Sequence, residues 1–189
     1  MANIDAAFGF RPARHISGGL IRAEEIPITA SYNTNIYNGQ VVEVVAAGTI
    51  EAATVGDTQT AGIFGGVSYT DPTTSKPTWS NYYPNTTAAS DLKATVYTDP
   101  NIVLEAQHDG TGTAAHNFSD IDFVGTAGST INGQSSSELD TSSSGDGNGN
   151  FKQIGISTDP ENSDTGSANA NAYVVFNTGF HIHKVVTAI

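Results

Sequence analysis

The sequence predicts an all-β protein: one barrel- or sandwich-like domain of about 8–10 short strands, with an extended N-terminal arm and at most one short helix. Three observations predict it. Only 14% of the 189 residues are charged, against about a quarter in an average domain, and Ser, Thr, Asn, Gly and Ala take their place. Short β-branched or alternating runs recur between Gly, Asn, Asp and Pro clusters. No window sustains a 3.6-residue apolar period over three turns. The length suits one domain, divided here into an arm at 1–23 and a β body at 24–189.

The arm, MANIDAAFGFRPARHISGGLIRA, is broken by Gly9, Pro12, Gly18 and Gly19, and its apolar residues are too scattered to make a core. It reads as disordered in isolation and held by a partner subunit, so that its deletion would leave the melting point of the body unchanged. Ile26–Thr29 follows as an edge strand, because Pro27 cannot donate to a ladder. Val41–Val45 and Thr49–Ala53 form the next strands about a turn at Gly48, and Ala61–Tyr69 another whose glycines announce a bulge or a close backbone approach. Residues 70–90 read as a Pro-punctuated loop carrying Trp79, Tyr82 and Tyr83, with strands resuming at Lys93–Tyr97 and Asn101–Gln107. Thr113–Phe118 is the helix candidate, capped by Thr113. Residues 126–150 are polar and low in complexity, predicting a long surface loop outside the core. Phe151–Ser157, Ala172–Thr178 and Phe180–Thr187 are the closing strands.

Net charge is −12 and the isoelectric point near 4.4, which disfavours nucleic acid and anionic membrane as partners. The charge is uneven. Residues 1–22 hold three Arg against Asp5, a net of +2; the rest holds four Lys against eighteen acids, a net of −14. A basic arm of this kind suits an acidic surface, its own body's or a neighbour's. The absence of cysteine removes disulfides, thiol catalysis and Cys-type zinc sites. Neither a secretory signal nor a membrane-length apolar run is visible, so the expectation is a soluble chain made in a cytoplasm.

Chemical sites are weakly signalled. His181 and His183, two apart in the last strand, could supply metal ligands with His108 or His116, but two polar residues on a solvated face explain them more simply. Asp146–Asn150 imitates the opening of a calcium loop, yet the sixth position is Phe151 and the twelfth Ser157, where Gly and Glu are needed. Gly110-Thr111-Gly112-Thr113 lacks the Lys of a phosphate loop, and no spacing nominates a Ser/His/Asp set. The expectation is no enzyme, no metal and no cofactor. Trp79, Tyr82 and Tyr83 suit an interface or sugar stacking, and equally the end of the domain's own barrel.

The opening Met1–Pro12, the stretch Gly62–Thr74 with Lys76–Pro84, and Asp99–Val103 with Asp109-Gly110 resemble small virion proteins of tailed bacteriophages. The resemblance implies a capsid decoration (cement) protein on the outside of the head, made in the host cytoplasm. Its partners would be the major capsid protein and copies of itself, as a homotrimer. Phe8, Phe10, Arg11, Arg14, Arg22, Trp79, Tyr82 and Tyr83 are the expected interface residues. Another phage subunit (tail tube, connector or fibre base) and a carbohydrate-binding β module are the competing readings.

Overall fold

Glycine, proline and asparagine cut this chain into short extended pieces, and the apolar faces of those pieces pair antiparallel. The computed structural model describes residues 2–56 and 59–184. The strands in its first half are β1 (Arg11–His15), β2 (Glu24–Pro27), β3 (Ile36–Tyr37), β4 (Val41–Val44), β5 (Ile50–Ala52), β6 (Thr60–Thr70), β7 (Pro77–Ser80) and β8 (Tyr82–Tyr83). The second half adds β9 (Lys93–Tyr97), β10 (Ile102–Gln107), β11 (Asp120–Val124), β12 (Glu138–Asp140), β13 (Phe151–Ile156) and β14 (Asn171–Phe176). The fold is all-β, with fourteen strands among the described residues where about eight to ten were expected. The helix expected at Thr113–Phe118 shrinks to a single 3₁₀ turn, Ala114–His116, and Thr113 does cap it by accepting from the Ala115 N–H.

One six-stranded sheet runs β1-β10-β14-β13-β11-β12. It curls: Leu139 of β12 bridges back to His108 at the end of β10, alongside β1. The second sheet runs β2-β9-β6-β4-β5, with β7 added to the far half of β6. Alternation along the strands then builds two cores. Val41 and Ile63 face the first sheet, among Phe10, Leu104, Phe123, Phe151 and Phe176. Their neighbours Val42 and Phe64 face the other way, among Ile28, Ile36, Tyr83, Leu92 and Val96. The second sheet is thus covered on both sides.

The glycines of β6 act as the sequence suggests. The register against β9 slips between Phe64 and Gly66, a bulge. Gly62 has φ +152, and a β-carbon there would collide with the carbonyl oxygen of Tyr97. Gly62→Ala is therefore expected to cost about 1–3 kcal/mol, as for other residues held in glycine-only backbone regions. Chemical denaturation checks it, and an unchanged midpoint would show that β6 and β9 can part freely.

Four expectations need correction. The arm is part of the fold from Phe10 to His15: Phe10 is fully buried, and β1 pairs with β10 from Arg11–Glu105 to His15–Ile102. The loop at 70–90 contains β7 and β8, because Trp79 pairs across from Ser68 and Tyr83 from Ile36. The polar stretch 126–150 is not confined to the surface, since it holds β12 with Leu139 fully buried. The strand at Phe180–Thr187 is absent over Phe180–Lys184, where the chain turns around one bridge between His181 and Thr60, and residues 185–187 lie outside the described residues. His181 is consequently buried against Phe176, not solvated.

Candidate interaction surface

The eight residues expected at an interface divide sharply. Phe10 stacks on Phe151 at 4.6 Å and meets Phe123 edge-on inside the first core. Tyr83 is fully buried and its hydroxyl donates to the carbonyl of Tyr32. Neither can reach a partner. Tyr82 is half-buried and stacks on Tyr37, with 5.7 Å between ring centres. Phe8 is half-buried beneath the guanidinium of Arg11, 4.4 Å from its ring centre. Arg11 in turn donates twice to the buried carboxylate of Glu105, at 2.7 and 2.9 Å. Here the basic arm lies on an acid of its own body.

What remains available is Arg14, Arg22 and Trp79. Arg14 and Arg22 are exposed, and neither has a carboxylate partner among the described residues. Arg14 only overlies the Tyr173 ring, at 5.9 Å. Arg14, near the end of β1, and Arg22 bracket most of residues 16–23, which leave β1 and belong to neither sheet before β2 begins. Gly18 takes φ +76 in this excursion and releases the chain from strand geometry. The excursion presents apolar surface: Ile16 is exposed and Leu20 is 89% exposed. Beside it opens a cleft of about 1090 Å³, lined by His15, Ile21, Arg22, Asp99, Pro100 and His183 among others. Trp79, 62% exposed, belongs to β7 of the second sheet and lies outside this cleft. Its ring covers Gly66, where a side chain would collide with it.

The cleft has one ordered polar chain. The Ser17 N–H donates to His15 Nδ1, so the imidazole carries its proton on Nε2 and donates it to Asp99 at 3.1 Å. The Ser17 hydroxyl also lies 2.9 Å from Nδ1. Ser, His and Asp are thus in contact, a grouping that no spacing in the sequence signalled. The backbone N–H, at 3.2 Å, and the hydroxyl of Ser17 share the one lone pair of Nδ1. The chain locks the turn after β1.

Two further exposed apolar side chains escaped the sequence reading. Phe118 follows the short 3₁₀ turn at φ +67, and Ile131 is 97% exposed in the polar stretch. Both have only polar residues or glycine within two positions, and only a lone hydrophobe in such company could have marked them.

The backbone of the calcium-like loop occupies its own acid, Asp146, and Asp120 of β11 beside it. Asp120 accepts the N–H groups of Gly147 and Gly149, and Asp146 that of Asn148. Burial would raise the Asp120 pKa, but those donors prevail and hold it below the ordinary value. Asp122 goes the other way, raised by burial and by Asp146, Asp140 and Asp120 around it. Among the described residues no group of three or more His, Asp or Glu is arranged to hold a metal ion. Likewise, no helix there is long and apolar enough to cross a membrane. No family model, no curated protein and no solved structure matches this chain.

Proposed function

We propose that this chain is a non-enzymatic virion protein that decorates the outside of a phage head and stabilises the shell by protein–protein contacts. The observation that carries the reading is the excursion at 16–23, where Ile16 and Leu20 stand exposed between Arg14 and Arg22, two cations with no carboxylate partner among the described residues. An apolar knob rimmed by positive charge, on a rigid body of net −14, suits a neighbouring surface with a greasy recess and an acidic rim. Many copies, each adding one such contact, strengthen a shell without chemistry. The sequence resemblance points to the same role, with the major capsid protein and further copies of this chain as partners.

The apolar part of the contact should dominate. Burying Leu20 is worth about 1.5–3 kcal/mol, whereas each exposed arginine pair is worth about 0.2–1 kcal/mol. Leu20→Asp is therefore expected to strip the chain from decorated heads, and Arg14→Ala to leave most copies attached. Raising salt from roughly 0.05 to 0.5 M shortens the screening length severalfold and should release few copies. The test is gel densitometry of washed particles, with the chain located in a map of the virion. Wholesale release by salt would mean that charge holds it, and density in the tail would assign it to another phage subunit.

Trp79 favours a second reading, since an exposed indole packed against Gly66 can serve as a platform for a sugar ring. Saturable binding on a glycan array, lost in Trp79→Ala, would establish it.

A further inference from the structure

Residues 3–8 cross the outer face of the first sheet as a strap fastened almost wholly by side-chain amides. The Asn3 amide pairs with the backbone of Asp164 in both directions, donating to its carbonyl and accepting its N–H, each at 3.1 Å. It donates again to the carbonyl of Ala168 at 2.9 Å. Gln107 takes the Ala6 N–H and donates to the Ile4 carbonyl, both at 2.9 Å, and Asn162 donates to that same carbonyl. Gln134 holds the carbonyl of Phe8. None of these bonds belongs to a strand ladder. The strap also buries little of itself: Ala2, Asp5 and Ala6 are exposed, and Ile4 is 55% exposed.

The receiving side is built quite differently. Gln107, Asn162 and Asn171 are all buried, and they fix one another. Gln107 donates to the Asn171 side chain, the Asn171 N–H to the Asn162 carbonyl, and the Asn162 amide to the carbonyl of Asn169. These amides sit on β10, on β14 and in the loop between β13 and β14, and the bonds among them do not involve the strap. The groove reads main-chain groups and one asparagine. An aspartate at position 3 could still accept from Asp164 but could donate to neither carbonyl.

We propose that this face is a preformed docking groove for an extended Asn-Ile-Asp-Ala segment, and that in an assembly it is filled by residues 3–6 of a second copy. Phe10 pins the chain inside the core, so residues 7–9 are the linker between that pin and the docking segment. Fully extended, the seven residues from Phe10 back to Asn3 reach roughly 23–25 Å. In dilute solution the chain's own strap wins by proximity; in a crowded array neighbouring straps compete on equal terms, the usual condition for exchange of an identical element. The inference does not depend on the capsid reading, because any dense assembly of this chain would provide the condition.

The chain has no cysteine, so introduced ones report cleanly. Asp5 lies near enough to Glu138 to raise that residue's pKa, and neither side chain holds the strap. Full-length Asp5→Cys and Glu138→Cys chains, mixed at high concentration with a short bismaleimide, should give a cross-linked dimer containing one of each. The doubly substituted chain should close on itself when dilute. Adding Asn3→Asp to the Asp5→Cys chain should abolish the dimer. A yield no higher than that from Asp5→Cys mixed with Lys152→Cys, or one indifferent to Asn3→Asp, overturns exchange. A labelled peptide of residues 2–8 gives an independent measurement on full-length protein. Freed of competition, the groove of the Asn3→Asp chain should bind it roughly tenfold more tightly than the unaltered chain does. Equal binding, or none, overturns the groove itself.

Discussion

Phe10→Ala is expected to destabilise the isolated protein by about 3–5 kcal/mol, the usual cost of deleting a fully buried phenylalanine. For a domain of this size that lowers the thermal midpoint by roughly 6–20 °C. The residue comes from a segment whose sequence reads as a detachable arm, so the result separates two pictures of the chain. In one, residues 1–23 are a ligand for a neighbour and their loss leaves the body intact. In the structure, Phe10 is one of four phenylalanines packed together at the centre of the first sheet, with Phe123, Phe151 and Phe176. Its own N–H donates to the Gly39 carbonyl, which ties the start of β1 to the turn before β4. Alanine would leave a cavity beside the rings of Phe123 and Phe151, which are themselves packed against each other and cannot both move inward. Leu20→Ala provides the contrast, since that side chain touches mostly water and its loss should shift the midpoint little. Calorimetry on the two variants decides the matter. Equal, small shifts would show that β1 is not part of the cooperative unit.

The strands legible in the sequence are those whose apolar residues are numerous enough to show a period. Val41–Val45 announces β4, Lys93–Tyr97 coincides with β9, and the Phe151 and Ala172 runs give β13 and β14 within a residue or two. What was illegible rests on single residues or on polar ones. β1 contributes almost no apolar face of its own, and Phe10, just ahead of it, carries the burial for the whole segment. Along 135–139, Ser135, Ser137 and Leu139 are buried in alternation. Two of those three are serines that bond to each other, their hydroxyls 3.0 Å apart. An alternation of serines has no hydrophobic signature, so the strand hides in a low-complexity stretch. The surface followed the same logic. Clustered aromatics pointed to an interface, but Tyr83 and much of Tyr82 were claimed by the fold itself. The excursion that stays exposed is marked only by Gly18-Gly19 and one leucine. The amides that hold the strap are dispersed between positions 107 and 171, and no local pattern connects them.

Acid should loosen this protein at one identifiable point. His181 is fully buried, its ring 4.5 Å from that of Phe176 and 5.5 Å from that of His183. Burial pushes its pKa from an ordinary 6.5 down to about 3. The neighbouring His183 and Lys184 add to the effect, while Asp99 and the Ala61 backbone oppose it. Between those two values the unfolded chain binds a proton that the folded chain refuses. The stability that neutral His181 contributes is therefore complete above about pH 6.5 and is lost progressively as pH falls toward 3. Each unit below 6.5 costs about 1.4 kcal/mol, so at pH 4.5 the loss from this residue is roughly 2.7 kcal/mol. His108, buried with its nitrogens 2.9 Å from the Ala170 carbonyl and from Gln153 Oε1, is also held below its ordinary pKa and works in the same direction. Asp122 and Glu138, raised mainly by burial, work against it, because the fold binds their protons more readily than the open chain does. Subtraction isolates the histidine. His181→Leu removes the titrating group while keeping an apolar filler against Phe176. Its stability should fall between pH 7 and pH 4.5 by roughly 2–3 kcal/mol less than that of the unaltered protein. The first part to give way should be the turn at 177–184, which is held to β6 by two backbone bonds with Thr60, from its N–H to the Phe180 carbonyl and from the Ile182 N–H to its own carbonyl. Hydrogen exchange at Ile182 would report that opening before global unfolding. A His181 imidazole titrating near 6.5 by NMR, or parallel pH profiles for the two proteins, would mean that water reaches the ring and that this end of the fold carries no acid-sensitive latch.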